Sequence, residues 1–171
     1  METMRAIITR RSTRRFQTTQ EFSEETVMDL LRAATSAPSE DGAKPWCFIV
    51  VKNEKSIRNL AILLKAPDTL QSAGMAIVVC ADTMKQDQMG HWVVDCAAAT
   101  ENVVLAAHDK ELGSTWARIF PSKKRMKMIG DLFKTPQHIT AFSAVFLGKP
   151  EKALNRRAAP LQTKEVHVEK W

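Results

Sequence analysis

Several residue types that mark particular classes of protein are scarce or missing from this sequence. It contains no tyrosine, so no phenol can serve as a proton donor in an active site. Its three cysteines are odd in number and include no Cys-x-x-Cys pair, which excludes a disulfide scaffold and a cysteine zinc ribbon. They instead predict reduced, mostly buried thiols in a cytoplasmic protein.

Long apolar runs are also missing. The longest stretch without a charged side chain, residues 135–148, has 14 residues, whereas a membrane-spanning helix needs about 20. The first residues lack the basic and then apolar order of a secretory signal. We therefore expect no membrane span and a cytoplasmic location. With 44% apolar and 26% charged residues, the composition is that of one globular domain, residues 1–171.

Familiar catalytic and nucleotide-binding motifs are missing too. The sequence has neither Gly-x-Gly-x-x-Gly nor a Gly-x-x-x-x-Gly-Lys-Ser/Thr loop. Its four histidines form no His-Glu-x-x-His pair, so we expect surface or structural roles for them and no bound metal. No set of Ser, His and acid is recognisable from residue order. We therefore name no catalytic side chain, as suits a protein whose chemistry belongs to a bound cofactor.

The net charge of +6 is concentrated at the two ends of the chain. Residues 1–20 carry +4, residues 119–148 carry +4 and residues 149–171 carry +3, whereas residues 21–118 carry −5. Basic ends call for an anionic partner, and nucleic acid, a membrane surface or a small phosphorylated ligand would each serve. For the basic cluster at residues 123–127 we favour a solvated surface.

Apolar spacing and capping residues predict a chain of mixed helices and strands. Helices are predicted at residues 4–10, after the N-caps Ser23, Asn53 and Ser122, and at residues 91–112. Strands are predicted at residues 47–51, 76–80 and 139–147. The helix at residues 91–112 is apolar on nearly every side, so we expect it in the core, closed by Gly113 in a left-handed C′ position. The polar segment 151–171 ends on Trp171 and indicates either an arm that docks on a neighbouring subunit or a free tail.

The sharpest feature is the hexamer Arg-Arg-Ser-Thr-Arg-Arg at residues 10–15. In an extended chain the side chains alternate between two faces, so Arg10, Ser12 and Arg14 would point one way and the residues between them the other. Two guanidinium groups beside a hydroxyl suit a phosphate, because arginine makes paired, charge-assisted bonds to its oxygens. A solvated basic segment or a nucleic-acid arm explains the hexamer equally well at this point.

Four segments, in this order, carry a resemblance to a known family. They are Arg-Arg-Ser-Thr-Arg-Arg-Phe at residues 10–16, Ala-Pro-Ser with Pro-Trp at residues 37–46, the helix and Gly-Ser-Thr-Trp at residues 95–116, and Leu-Gly-Lys-Pro at residues 147–150. The set resembles the FMN-dependent nitroreductase family along nearly the whole chain. This resemblance implies an α+β fold, an α/β/α sandwich with a mostly antiparallel central sheet. It also implies a homodimer with shared active sites, in which the C-terminal arm, residues 151–171, is exchanged between subunits.

The resemblance also implies where a flavin would bind. Arg10, Ser12 and Arg14 would hold the FMN phosphate and ribityl chain, with Arg11 near the ring and Arg156 or Arg157 closing the phosphate site. Pro38 and Ser39 would reach the same flavin from the partner subunit. The turn after the long helix would contact the flavin, with the backbone around Trp116, Ala117 and Arg118 at the N5 edge of the ring, where hydride arrives.

The sequence departs from the family pattern between Ser39 and Pro45. Gly42 and Lys44 stand where the family usually has Asn and Gln. Our hypothesis is that Lys44 stabilises the negative charge of a reduced flavin more strongly than a neutral amide would. Glu101 replaces a frequent Gln on the long helix, and the sequence alone gives it no role.

The function that follows from the resemblance is electron transfer from NADH or NADPH, through FMN, to nitroaromatic, quinone or similar small-molecule acceptors by a ping-pong mechanism. Neither nucleic acid nor a membrane is expected as a partner. The alternatives are other reductive chemistry on the same fold, such as dehalogenation or enone reduction, and a non-enzymatic protein that binds flavin or nucleic acid.

Overall fold

Four antiparallel strands form the middle of the fold. They are β1 (Trp46–Val51), β2 (Met75–Asp82), β3 (Gly113–Arg118) and β4 (Ile139–Gly148), and they lie side by side in the order β1-β2-β4-β3. The structure, a computed structural model, describes residues 2–17, 21–86, 89–154, 157–158, 160 and 162–171. All three predicted strands are confirmed, and β3 is an additional strand.

Helices cover both faces of this sheet. They are α1 (Thr3–Thr9), α2 (Glu24–Thr35), α3 (Glu54–Leu63), α4 (Met89–Asp109) and α5 (Lys123–Phe133). Apolar side chains of α2 and α4 pack on the face that carries Ile77 and Val145. Those of α3 and α5 pack on the opposite face, around Val78 and Phe146. The α+β sandwich expected from the sequence is thus confirmed.

Side-chain caps explain where three of the helices begin. The side chains of Ser23, Asn53 and Ser122 accept hydrogen bonds from backbone N–H groups three residues later, at 3.2, 3.0 and 3.4 Å. Each bond satisfies an N–H group that the first helical turn leaves without a partner. The predicted starts are confirmed because this interaction is local to the sequence.

The long helix α4 ends earlier than its sequence pattern suggests. Its last residue is Asp109, and Glu111 rather than Gly113 takes the left-handed conformation, with φ at 61°. The prediction of Gly113 as the C′ residue is therefore wrong. The segment 113–116, expected to be a turn, is also different, because it pairs with β4 as the first part of β3. Gly113 is required there for packing, as described below.

Beyond β4 the described residues form little regular structure. Among the described residues of the arm, only Thr163–Glu165 forms a short 3₁₀ helix, and every described residue from Arg157 to Trp171 is exposed. Within the described ranges, no helix combines the length and apolar character that crossing a bilayer requires.

A charged side chain joins the two helices on one face of the sheet. Asp29 of α2 accepts hydrogen bonds from Lys110, just after α4, at 2.5 Å and from Arg32 at 2.9 Å. The hydrogen bond from Lys110, assisted by Arg32, holds the pKa of the Asp29 carboxyl below its usual value of 3.8. A carboxyl with a depressed pKa stabilises the fold while it is ionised, and this contribution is lost as the pH falls through its folded-state pKa.

Replacing this carboxylate by an amide, Asp29→Asn, should lower the melting temperature near about pH 7, because the hydrogen-bonded charge pair with Lys110 is lost. The difference from the unmodified protein should shrink as the pH falls below about 4, the ordinary pKa of an aspartate, and close below the lowered folded-state pKa of Asp29, where the native carboxyl becomes protonated. Thermal unfolding followed by circular dichroism across this range measures both effects.

A matched control is Glu54→Gln, which removes an exposed carboxylate that pairs with Arg58 within α3 alone. It should change the melting temperature less, because it joins no separate elements. An Asp29→Asn difference that is the same at low and neutral pH would contradict the assignment.

Candidate functional site

The arginine-rich segment lies across one end of the sheet. Ser12 forms a parallel bridge with Ser114 of β3, and Phe16 forms an antiparallel bridge with Pro150 just after β4. The Thr13 N–H donates to the Ser114 carbonyl at 2.8 Å. Backbone pairing at both ends therefore holds residues 12–16 extended beside β3 and β4, which is the backbone conformation that the sequence analysis assumed.

Two glycines make this close approach possible. Gly113 and Gly148 are direct cross-strand partners, so their missing side chains would point to the same face. A Cβ on Gly113 would stand 2.7 Å from a methyl carbon of Thr13, and one on Gly148 would stand 2.6 Å from the ring of Phe16. Both distances are too short for real atoms, so glycine at these positions lets the segment lie flat on the sheet.

A buried histidine fixes the chain just before the segment. Thr9 donates its hydroxyl proton to the Arg5 carbonyl at 2.6 Å, and the same oxygen lies 2.9 Å from Nε2 of His108. Because the hydroxyl proton is already used, His108 must donate through Nε2. Both side chains are buried, so this contact ties the end of α1 to α4, a structural role of the kind expected for the histidines.

The arginines of the segment have different partners. Arg10 forms an ion pair with Glu101 of α4 at 3.3 Å. Arg11 donates to the carbonyls of Ile8 and Arg10 and, across the molecule, to that of Arg157 in the arm. Arg14 is exposed and has no ion pair among the residues that the structure describes. Of the two motif arginines expected at a phosphate, Arg10 and Arg14, it is Arg14 that has no acidic partner among the described residues.

A cavity of about 330 Å³ opens along this segment. Residues 11–15 form one wall and residues 151–154, at the start of the arm, form the other. Ser12, Arg14 and Arg15 therefore share the lining of this cavity with Lys152 and Glu151, so the lining contains basic residues and one acidic residue. Arg157 contacts Arg11 through its backbone carbonyl, whereas Arg156 lies outside the described residues.

The far end of β3 carries an unusual polar atom. The indole Nε1 of Trp116 is buried and has no hydrogen-bond acceptor among the described residues. Its ring lies 6.2 Å from that of Phe142, which also contacts Trp92 and Phe120. Ala117 and Arg118 follow at the end of the strand. A buried donor without an acceptor is costly, so this position is suited to a group that brings an acceptor.

A second cluster surrounds residues 38–44. Ser39 Oγ accepts from the Lys44 N–H at 3.1 Å, and the Glu40 N–H donates to the buried carboxylate of Asp95 at 3.3 Å. The Glu40 side chain pairs with His91 at 2.5 Å. These contacts hold a tight loop on the first turns of α4. Pro38 and Lys44 are exposed, and no described contact of the Lys44 ammonium tests the hypothesis about its charge.

One chain does not bring the two clusters together. The loop contacts α4 at His91 and Asp95, whereas the arginine segment contacts it at Glu101. With a rise of about 1.5 Å per residue, these contacts are about 9 to 15 Å apart along the helix axis. A ligand that touches both Pro38 and Arg14 would therefore need the loop of a second chain or a long reach along α4.

A larger cavity lies elsewhere. It has about 560 Å³ and opens beside the start of α3, where Lys52, Glu54, Arg58 and Asp68 line it. Its charges are largely compensated locally, since Arg58 pairs with Glu54 and Lys52 with Glu24. None of the predicted site residues contacts it, so we place the candidate site at the smaller cavity.

Sequence reasoning missed three contributors to the site. Glu101 binds Arg10, Asp95 anchors the loop, and Gly113 accommodates Thr13. Asp95 and Glu101 contact residues more than fifty positions away in the sequence, so local patterns could not identify these contacts. The one available signal was the presence of the carboxylates Asp95 and Glu101 within a largely apolar helix, because a carboxylate that becomes buried requires a partner.

Comparison with known proteins agrees with this architecture. Residues 7–67 match the model of the nitroreductase family. A provisionally named NADH dehydrogenase/NAD(P)H nitroreductase of Methanothermobacter thermautotrophicus is 36% identical over 171 residues, covering 100% of this chain and 88% of that protein. A protein of the same provisional name from Archaeoglobus fulgidus is 38% identical over 173 residues, covering 99% of each. The solved structure of an FMN-dependent nitroreductase from Clostridium difficile superposes with a TM-score of 0.87 at 28% identity, covering 98% of this chain and 99% of that one.

An antiparallel sheet between two helical layers, with this strand order and an N-terminal segment on its end, is the nitroreductase-like α+β fold. The relatives from Methanothermobacter thermautotrophicus and Archaeoglobus fulgidus are more than 30% identical over at least 99% of this chain. The protein therefore belongs to the nitroreductase family.

Adding one methyl group, as in Gly113→Ala, should displace Thr13 from the end of the sheet. We expect a loss of about 1–3 kcal/mol in the free energy of unfolding, as for other overpacked sites. We also expect faster tryptic cleavage within residues 10–15, because the displaced segment loses backbone pairing. Limited digestion with mass analysis of the fragments measures the second effect.

The control is Gly90→Ala in α4, where a new Cβ would have no atom within 4 Å. This variant should keep the cleavage rate of the unmodified protein. Equal protection of residues 10–15 in Gly113→Ala would show that the close approach does not position the segment.

Proposed function

We propose that this protein is an FMN-dependent oxidoreductase that passes electrons from NADH or NADPH to nitroaromatic, quinone or similar small-molecule acceptors. Donor and acceptor would use one site in turn, which is a ping-pong mechanism. The observation that carries the proposal is the docking of residues 12–16 on the end of the sheet. It brings a phosphate-binding sequence to the same strand that carries Trp116, Ala117 and Arg118.

The residues present suit FMN. Ser12 and Arg14 offer a hydroxyl and an uncompensated guanidinium along a cavity of about 330 Å³, a combination that recognises phosphate oxygens. At the other end of β3, the buried Trp116 N–H lacks an acceptor among the described residues, and a flavin ring carries several acceptor atoms. When bound, FMN supplies the electron-transfer chemistry.

The arginines of the segment would bind and orient rather than exchange protons. Arg10 forms an ion pair with Glu101, so we assign Arg10 a positioning role and assign binding of the phosphate to Arg14. Arg11 would fix the start of the arm through the Arg157 carbonyl. The chain has no tyrosine, and the described residues that line the cavity include no histidine, so Glu151 and Lys152 are the lining residues there that could hold or move a proton. An acceptor would be selected by its fit and its redox properties.

A homodimer with shared sites completes the proposal. The apolar side chains of Met4, Ile7 and Ile8 on α1 are 66, 48 and 41% exposed, and the arm ends on Trp171, which is 99% exposed. Apolar surface of this kind marks an interface. The separation between the loop at Pro38 and the arginine segment along α4 also favours a second chain as the source of Pro38, Ser39 and Lys44 at each flavin.

Nucleic-acid binding receives less support. Such a protein presents its basic side chains as an open stripe. Here Arg10 and Lys127 pair with acids of the same chain, and Arg125 donates to the Arg118 carbonyl. Dehalogenation and enone reduction would use the same flavin site, and no described contact favours either over nitro or quinone reduction.

The visible absorption spectrum of the purified protein tests the function. We expect flavin absorption, and anaerobic bleaching of that absorption when NADH or NADPH is added. Recovery of the absorption on addition of a nitroaromatic or a quinone should follow. A protein that neither carries flavin nor binds added FMN would contradict the proposal, and flavin that resists both donors would indicate a non-enzymatic flavin protein.

The phosphate contact is tested by comparing the FMN and riboflavin affinities of variants. Arg14→Ala should weaken FMN binding by on the order of tenfold to a hundredfold and riboflavin binding little, because only FMN carries the phosphate. The control Arg58→Ala removes an exposed arginine of α3 that pairs with Glu54 and should change neither affinity. Equal losses for both ligands in Arg14→Ala would remove Arg14 from the phosphate site.

The dimer has its own prediction. Ile7→Lys places a charge on the apolar face of α1 and should shift the protein from dimer to monomer and lower its FMN affinity. Sedimentation velocity measures the mass. Ile62→Lys is the matched control, because Ile62 is 59% exposed but lies on α3, in the opposite layer. An unmodified protein that sediments as a monomer while holding FMN would contradict the shared site.

A further inference from the structure

Two cysteines stand directly opposite each other on neighbouring strands. Cys47 of β1 is the register partner of Cys80 of β2. Directly opposed residues of an antiparallel pair point to the same face of the sheet, and both cysteines belong to the apolar cluster under α3 and α5. The two sulfur atoms therefore share one side of the sheet, apart from the candidate flavin site.

The backbone spacing at this pair suits a covalent link. The Asp82 N–H donates to the Pro45 carbonyl at 2.7 Å, two residues along each strand. Hydrogen-bonded and non-hydrogen-bonded pairs alternate, so Cys47 and Cys80 form a hydrogen-bonded pair, whose Cα atoms are about 5.5 Å apart. Disulfides span Cα separations of about 4.4 to 6.8 Å. The expected Cα separation is therefore within the range of a disulfide. The Cβ atoms of directly opposed residues lie about 4.5 to 5.5 Å apart, whereas a disulfide needs about 3.5 to 4.5 Å, so the two strands must move together by about 1 Å as the bond forms.

The two thiols differ in accessibility and acidity. Cys47 is half-buried on the edge strand β1, whereas Cys80 is fully buried. A hydrogen bond from the Cys80 S–H holds the pKa of the Cys47 thiol below its usual value, and the same contact, with burial, raises the pKa of Cys80. An accessible, more acidic thiol beside a second, resolving thiol is the arrangement of a redox-reactive cysteine pair.

The third cysteine, Cys96, differs from this pair in its location, accessibility and acidity. Cys96 lies on α4, on the other face of the sheet, in the cluster of Trp46 and Trp92. It is fully buried, and its thiol donates to the Cys80 carbonyl at 3.7 Å. Burial, with the nearby Cys47 and Asp95, raises the pKa of Cys96 to about 12. It is therefore an internal control for cysteine chemistry in this protein.

We propose that Cys47 is a peroxide-reactive thiol and that Cys80 resolves it into a disulfide between β1 and β2. The Cys47 thiol first loses its proton to solvent. The thiolate attacks one oxygen of hydrogen peroxide, the S–O bond forms, the O–O bond breaks, and the hydroxide released takes up a proton from solvent and leaves as water. Sulfur of Cys80 then attacks the resulting Cys47 sulfenic acid. The S–S bond forms, the S–O bond breaks, and the Cys80 proton leaves with hydroxide as a second water. Two thiols are oxidised by two electrons, and one peroxide is reduced.

The link would fasten the strand that begins directly after the candidate flavin loop. Cys47 follows Pro45 and Trp46, so the disulfide anchors the end of residues 38–44 to the middle of the sheet. A dithiol reductant reverses the reaction by thiol exchange. The pair thus forms a reversible modification site whose chemistry requires no flavin.

Peptide mapping after treatment with hydrogen peroxide tests the proposal. Trypsin cleaves at Lys52, Lys65 and Lys85, which places the three cysteines on three separate peptides. We expect a mass loss of about 2 Da from two hydrogens and one cross-linked peptide joining Cys47 to Cys80. Dithiothreitol should abolish it. Before oxidation, iodoacetamide should label Cys47 on the order of tenfold faster than the other two.

Single variants separate the roles of the two thiols. Cys80→Ala should stop the reaction at a Cys47 sulfenic acid that dimedone traps, and Cys47→Ala should abolish both products. Cys96→Ala should leave the cross-link unchanged. Circular dichroism before oxidation shows that each variant is folded, and the two Cys→Ala variants at positions 47 and 80 test the pair independently.

Three results would overturn the proposal. They are a cross-link to Cys96, a link between two chains through Cys47, and oxidation of the unmodified protein that leaves Cys47 as a sulfinic acid without any cross-link. The experiment gives the same answer whether or not FMN is bound, so its failure and the failure of the proposed function are distinguishable.

Discussion

The contact between residues 13–16 and the paired glycines Gly113 and Gly148 constrains the whole candidate site. Backbone pairing at Ser12 and Phe16 holds the segment extended, but the pairing is possible only because both glycines lack a Cβ. The two glycines are cross-strand partners, so Thr13 and Phe16 both pack on one patch of the sheet that has no side chains. Through this patch a basic sequence near the N-terminus reaches the strand that follows α4, about a hundred residues later in the chain.

The helix α4 sets the second constraint. It contacts the loop at its first turns through His91 and Asp95, and the arginine segment near its middle through Glu101. Because a helix is stiff, its rise fixes the distance between these two clusters. A ligand that contacts both clusters must therefore extend along α4 or meet the loop of another chain. The proposed sharing of the flavin between two chains is the second of these arrangements, and the exposed apolar side chains of α1 and of the arm would supply the surface that the other chain covers.

Local interactions account for what could be predicted. The starts of α2, α3 and α5 depend on the caps Ser23, Asn53 and Ser122, each of which bonds an N–H only three residues away. The apolar runs that became β1, β2 and β4 are also local. The role of Gly113 was mispredicted for the complementary reason. A glycine after a helix usually ends the helix. Here Gly113 is needed because Thr13, from a distant part of the chain, occupies the space where a Cβ would lie.

The sequence by itself determined the family, the alternation of helices and strands, and the residue types that suit a phosphate. These features depend on motifs, caps and apolar periodicity, all of which involve residues close together in the sequence. Tertiary structure alone decided which of the two motif arginines pairs with an acid among the described residues. Arg10 and Arg14 are equivalent in the sequence motif, but folding places Arg10 against Glu101 and leaves Arg14 beside an open cavity. The pairing of Cys47 with Cys80 was likewise decided by the register of β1 on β2. Charge compensation and strand register depend on residues far apart in the chain, and only folding brings them together.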